Sequence, residues 1–320
     1  MPLKSPPFPE ADQLCDILSV SGTTLLSRNG TTPHTVPGQP TLTFTDHALP
    51  VFLRHDLLTP DLDRMAPYLW LMATPSHSHI SSLHHQIVRG RNIVVTENPE
   101  LHLVWINSRV FVKPLPLYLL SHAMWVGCLS GKFVDGITPE DSQCIERAGL
   151  GYLRTWYYLV RHESDFRLAK EYHLIPDTVS FHDLLLFIRH FAHISDCDVS
   201  DRYRYGDLRL SRLNMWAKIF LHKWMFHRVH GQYGEYFAQL YGPILFIFAV
   251  FSTSLSAMQV VLASGDDVWN SFVRTSKWFS VVTLLFVTLI CTYFLGLWSF
   301  MVIREAVFAL SQLTGRKRVR

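Results

Sequence analysis

The chain has 320 residues, of which 48% are hydrophobic and 17% charged, below the roughly 25% charged of an ordinary soluble protein. A formal net charge of +3 excludes a global polycation for nucleic acid and confines any basic function to local clusters. Five scattered cysteines, Cys15, Cys128, Cys144, Cys197 and Cys291, have no CxxC spacing. Neither a disulfide framework nor a zinc ribbon is therefore indicated, and reduced thiols are expected.

In chain order, the opening MPLKSPPFPEADQL has no apolar core of signal-peptide length, so no cleaved leader is expected. Residues 1–59 mix Ser, Thr, Gly and Pro and read as an irregular arm. Residues 60–207 read as a cytosolic α+β domain. TPDLDRM carries a helix start signal at Thr59. NIVVTE, ELHLVWI and RVFVKPLP are Val- and Ile-rich runs that predict a small antiparallel sheet, with Leu101, Leu103 and Trp105 on one face and Pro114 and Pro116 ending it. Thr138-Pro139-Glu140-Asp141 predicts a helix to about Val160, and Ser180 caps another through FHDLLLFIRHFAHI. A third helix is expected from Leu208 to about Arg228, inside a juxtamembrane segment 208–235.

The C-terminal third points to a membrane. Residues 236–265 contain no Asp, Glu, Lys, Arg or His, and neither do residues 278–303. Each run exceeds the roughly 20 apolar helical residues that a bilayer requires, which predicts spans at 241–263 and 278–303 joined by a loop, 264–277, on the lumenal side. Lys218, Lys223 and Arg228 precede the first span. Arg304, Arg316, Lys317, Arg318 and Arg320 lie in a basic tail, 304–320. This excess of cations places both termini in the cytosol. Ala249, Thr253 and Ala257, and likewise Thr288, Thr292 and Gly296, recur every four residues, giving each span a small-residue face for packing against its neighbour.

The wording of several stretches is distinctive: HLVWINSRVFVKPLPLYLLSH, YGDLRLSRLN, GQYGEYF and, within the first span, LSAMQV. Together they resemble a family of filamentous-fungal integral membrane proteins of unknown function, over most of the chain from about Arg89 to the second span. Some members carry the label subtilisin-like serine protease. The chain itself has no GxSxG elbow, no Gly-Thr-Ser and no His-Gly-Thr, so no serine is marked as activated.

Other chemistry is faint. His190 and His193 stand three apart, with Asp196, Cys197 and Asp198 beyond, and could share an ion. A helix ending in polar residues, with His favourable near its negative pole, is the preferred reading. His222, His227 and His230, His84-His85, the His77/His79 pair, and the carboxylates Asp196, Asp198 and Asp201 mark no further site. There is no Walker A sequence and no GxGxxG. No catalytic residue, metal ligand or cofactor is assigned, and whether the chain is an enzyme stays open.

The strongest local signal is basic. Between Arg202 and His230, seven cations (Arg202, Arg204, Arg209, Arg212, Lys218, Lys223 and Arg228) face one acid, Asp207. Leu210, Leu213, Trp216, Phe220 and Trp224 recur at helical spacing. An interfacial helix is expected, with Arg209, Arg212, Lys218, Lys223, Arg228, Trp216 and Trp224 meeting anionic lipid. Pairing of Arg209 and Arg212 with Asp196 or Asp201 is the competing expectation. The overall expectation is a largely helical α+β cytosolic region followed by a two-helix transmembrane hairpin, in the endoplasmic reticulum or another internal membrane. Its partners would be membrane lipids and an unidentified protein, with no nucleic acid. The function would be an anchored interaction or scaffold protein, or alternatively a membrane-bound enzyme or accessory factor acting on a lipophilic substrate in fungal lipid or secondary-metabolite biosynthesis.

Overall fold

The computed structural model describes residues 6–21, 24–27, 35–44, 46–74, 76–129, 138–223, 225–227, 233–263 and 270–316. The chain divides into two units, Met1–Arg228 and Val229–Arg320.

The first unit begins with an antiparallel pair, β1 (Leu18–Ser21) and β2 (Thr24–Ser27), in the register Leu18↔Ser27. Helix α1 (Ala48–Leu57) follows, with Leu49, Leu53 and Leu57 buried along one face. The expectation of an irregular arm over 1–59 is thus corrected. Phe8, Cys15, Leu18 and Val36 also enter the core, and the ring of Phe8 lies 4.8 Å from that of Phe187 and 6.4 Å from that of Trp125. These contacts are tertiary, and the Ser/Thr/Gly/Pro composition around them conceals them.

Next come α2 (Pro60–Met65), a 3-10 segment Ala66–Leu71 and α3 (Leu83–Val88). Then follow β3 (Asn92–Val95), β4 (Val104–Ile106) and β5 (Arg109–Val112). The small sheet is present but mixed. β4 and β5 form an antiparallel hairpin, with Asn107 in the left-handed region at φ 50°, whereas β3 pairs with β5 in parallel. The expected shared face of Leu101, Leu103 and Trp105 does not form. Pro99–Leu101 is a 3-10 turn and Leu103 has φ 58°, which breaks the alternation, so that Leu101 and Leu103 are buried while Trp105 is half-exposed.

Helix α4 (His122–Met124) runs into a π-turn, Trp125–Leu129. Helix α5 (Pro139–Leu159) is the central element, burying Ile145, Tyr152, Leu153 and Trp156 among others. Thr138 accepts a hydrogen bond from the Asp141 N–H, as its capping position predicts. Gly151 is required by close approach, since a Cβ there would come within 2.6 Å of Tyr203 Cβ. Helix α6 (Glu163–Glu171) packs on α3, and α7 (Phe181–Ile188), capped by Ser180, packs on α5. Finally β6 (Leu208–Arg209) pairs in parallel with β4 and leads directly into α8 (Leu210–Phe220). The sheet order is β3-β5-β4-β6.

A buried polar network ties these parts together. Lys113, 1% exposed, donates to Asp56 at 2.8 Å and to the Glu97 carbonyl at 2.9 Å, and Tyr118 donates to the other Asp56 oxygen at 2.5 Å. Burial raises the Tyr118 hydroxyl well above its ordinary pKa, and the neighbouring Asp56 adds to this. His102 is fully buried. Its Nδ1 accepts the Lys113 N–H at 3.1 Å. Its Nε2 meets Thr155 Oγ1 at 2.9 Å, and Thr155 spends its own proton on the Tyr152 carbonyl. Both partners therefore require the neutral ring with its hydrogen on Nε2.

The second unit holds α9 (Tyr233–Ala263) and α10 (Asn270–Arg316). Leu245–Ala263 and Asn270–Gly296 are long and apolar enough to cross a membrane, and 0% and 6% of these stretches are buried by protein. A core helix of a soluble protein would be mostly covered, and these are not. At 47 residues, α10 is about 70 Å long, and it carries helix to Arg316 through most of the segment read as a tail. The expected packing faces are displaced. Ala249, Thr253, Ala257, Thr288, Thr292 and Gly296 are all exposed, whereas Ser276 and Thr283 are buried and Phe251 lies 5.8 Å from Phe279. Small residues do mark the contact, but they are the ones nearer the start of α10. Thr283 returns its hydroxyl to the Phe279 carbonyl at 2.8 Å, leaving no unpaired donor there.

Candidate functional site

The basic run from 202 to 223 separates into distinct roles. Arg202 is buried and donates to the carbonyls of His102, Tyr205 and Gly206 at 3.1–3.3 Å. Burial lowers its pKa to about 10. It is a structural residue out of reach of any phosphate. Arg204 pairs with Asp201 at 2.7 Å, and Asp196 is taken by Arg154 at 2.9 Å. The pairing of Arg209 and Arg212 with those acids is absent. Arg209 is exposed and lies over the Trp105 ring at 5.1 Å, while Arg91 lies 4.0 Å from the same ring. Arg212, also exposed, donates to the Leu71 carbonyl at 3.2 Å, which ties α8 to the segment 66–71.

Helix α8 is shorter than expected and turned differently. Leu210 and Leu213, the first two residues of the predicted apolar stripe, are buried together with Ala217, whereas Trp216 and Phe220 are half-exposed. The helix stops at Phe220 for local reasons. His222 takes φ 53°, the Leu221 and Lys223 N–H groups both return to the Ala217 carbonyl, and Asn214 Oδ1 accepts from the N–H of Phe226 at 2.9 Å and of His227 at 3.1 Å. The backbone is thereby folded back along the helix.

A different face is exposed. Met215 is 56% and Ile219 59% exposed on α8, and on the 3-10 segment 66–71, which Arg212 ties to α8, Tyr68 is 43% and Trp70 62% exposed. Tyr68 stacks on Phe220 with centroids 4.0 Å apart and planes 7° apart, and Phe220 stacks on Trp216 at 5.5 Å. The result is a three-ring ladder at the surface. Lys218 is exposed on the same helix and Lys223 is ion-paired with Asp61. The structure thus brings Arg212, Trp216, Lys218 and Lys223 together on one short stretch, with Arg209 at its start. Trp224 and Arg228 lie outside the described residues. Sequence reasoning misses Tyr68 and Trp70, although the alternation in PYLWLM, with buried Leu69 between two exposed aromatics, is a usable signal.

One further cluster carries chemical potential. Asp165, fully buried, accepts from His84 Nδ1 at 2.7 Å and from the backbone N–H groups of His84, Arg161 and His162 at 2.8–3.1 Å. Burial alone would raise its carboxyl, but these donors hold it below the usual range. His84 borders a groove between α3 and α6 lined by the apolar Ile87, Val88 and Leu168 and by the polar Glu163, Ser164, Arg167 and Glu171. Of the histidines standing three apart, His190 Nε2 lies 2.6 Å from an Asp12 carboxylate oxygen, while His193 is exposed. Among the described residues no group of three His, Cys, Asp or Glu is placed to hold a metal ion.

The chain belongs to a family of unknown function, DUF6601, whose sequence profile matches residues 49–287. That span includes the exposed aromatic face and the whole of α9. No curated protein and no solved structure matches the chain.

Proposed function

We propose that this family member is a membrane-anchored interaction protein. Its two apolar helices fix it in an internal membrane, both termini lie in the cytosol, and residues 6–227 engage a protein partner there. The observation that carries the anchoring is the exposure of α9 and α10. Two stretches of spanning length present large apolar side chains such as Phe246, Phe248, Leu284 and Leu289 with almost no protein cover, and hydrocarbon is the solvent that removes the cost of that exposure. The orientation rests on Lys218, Lys223, Arg304 and Arg316 flanking the spans. Glycosylation mapping tests it. An Asn-Gly-Thr acceptor carried on a spacer inserted into the loop 264–277 is expected to be modified in microsomes, while the native Asn29-Gly30-Thr31 stays bare. A glycosidase-sensitive mass shift that disappears in Asn29→Gln overturns the orientation.

A second reading, a membrane-bound enzyme acting on a lipophilic substrate, is favoured by one observation. The His84–Asp165 pair sets an imidazole, oriented by a buried carboxylate, in the wall of a groove lined by apolar and charged side chains, and an imidazole so oriented can serve as a general base. Loss of the gene separates the two readings. Accumulation of one metabolic intermediate, reversed by the wild-type chain and not by His84→Ala, supports the enzyme.

A further inference from the structure

We propose that the surface formed by Tyr68, Trp70, Met215, Ile219 and Phe220 is seated in the headgroup layer of an anionic bilayer. This rests on the reading of the protein as membrane-anchored.

Three observations favour lipid as the occupant. The first is composition. Tyr68, which stacks on α8, and Trp70, on the same segment, are exposed as are Met215 and Ile219 of α8, and each of these two rings has an apolar body and a polar edge suited to the boundary between hydrocarbon and water. The second is charge. From 208 to 234 the chain carries Arg209, Arg212, Lys218, Lys223 and Arg228 and no acid; Lys223 is paired with Asp61 of α2, and Arg209, Arg212 and Lys218 are exposed on or beside the same helix. Cations around an apolar centre match phosphate and serine headgroups around an acyl layer. The third is continuity, since twelve residues separate Phe220 from Tyr233, where the helix containing the first span begins. The geometry is also fixed in advance. The Tyr68–Phe220–Trp216 stack and the Arg212–Leu71 bond join two elements into one surface, so little side-chain freedom remains to be lost on contact.

The test uses the full-length protein reconstituted in nanodiscs of phosphatidylcholine with about one-third phosphatidylserine, and in phosphatidylcholine alone. p-Benzoylphenylalanine replaces Trp70 or Ile219, and replaces Val51, an exposed apolar residue on α1, as the control. Irradiation is expected to add lipid mass at 70 and 219 and not at 51. The yield should drop about fivefold in neutral discs, the factor supplied by one basic residue at the surface. Equal yields in the two lipids, equal yields at 219 and 51, or cross-links from 219 to a second copy or another protein instead of lipid overturn the proposal while leaving the anchor intact. Failure of the chain to enter discs at all overturns both.

Discussion

Replacing Lys113 by Met is expected to destabilise the first unit by about 3–5 kcal/mol, because it removes one partner of a largely buried pair and leaves the Asp56 charge with the Tyr118 hydroxyl but without its Lys113 counter-charge. The Lys113 ammonium is 1% exposed and the Asp56 carboxylate 15% exposed, so water replaces the lost contact only in part. With roughly 2–4 °C lost per kcal/mol in a unit of this size, the unfolding midpoint in mild detergent, read by near-ultraviolet circular dichroism, should fall by roughly 10 °C. A triple variant that also carries Asp56→Leu and Tyr118→Phe removes the stranded charge and its donor, and should recover most of the loss. If Lys113→Met alone leaves the midpoint unchanged, the network around Asp56 is not buried in the way described.

Acidification is expected to weaken the same unit through His102. Burial holds this ring well below its ordinary pKa, and the Arg202 and Lys113 charges act in the same direction. Protonation would also set a hydrogen on Nδ1 against the Lys113 N–H that it now accepts. In the unfolded chain the ring gains its proton near pH 6.5, so below that pH the unfolded state binds more protons and stability declines as pH falls towards the folded pKa. Between pH 7.5 and pH 5.0 this amounts to about 2 kcal/mol for a group that stays neutral in the folded state. His102→Gln, whose amide can accept from Lys113 and donate to Thr155, should have a smaller difference in unfolding midpoint between the two pH values than the wild type. An unchanged difference would mean that His102 titrates in the folded protein.

What the sequence makes legible is local. Thr138 and Ser180 announce α5 and α7 because a capping hydroxyl and the residue three positions on act within one turn. The two apolar helices are legible because length and composition suffice. The strands β3, β4 and β5 are visible as Val- and Ile-rich runs, but the parallel pairing of β3 with β5 and the addition of β6 are long-range and no local pattern encodes them. Leu103, in a left-handed conformation as a non-glycine residue, is held there by its N–H to Phe111 and by its carbonyl to the Leu208 N–H, contacts invisible in the run ELHLVWI.

The candidate surface divides in the same way. The basic character of 202–223 is plain in the sequence, yet an apolar stripe on a helix reads the same whether it faces lipid or its own domain. Leu210 and Leu213 face the domain, and the outward side is Met215 and Ile219, completed by Tyr68 and Trp70 from a segment about 150 residues earlier in the chain. Arg202 illustrates the limit most sharply. Its side chain lies among carbonyls, while its neighbour Arg204 lies in solvent, and nothing in RYRYGD separates the two.

Anchoring through α9 and α10 is tested most directly by alkaline carbonate extraction of membranes from cells that make the full-length chain. The protein is expected to remain in the pellet at pH 11 and to enter solution only with detergent, as a chain with two spans must. Quantitative release into the carbonate supernatant would contradict the account.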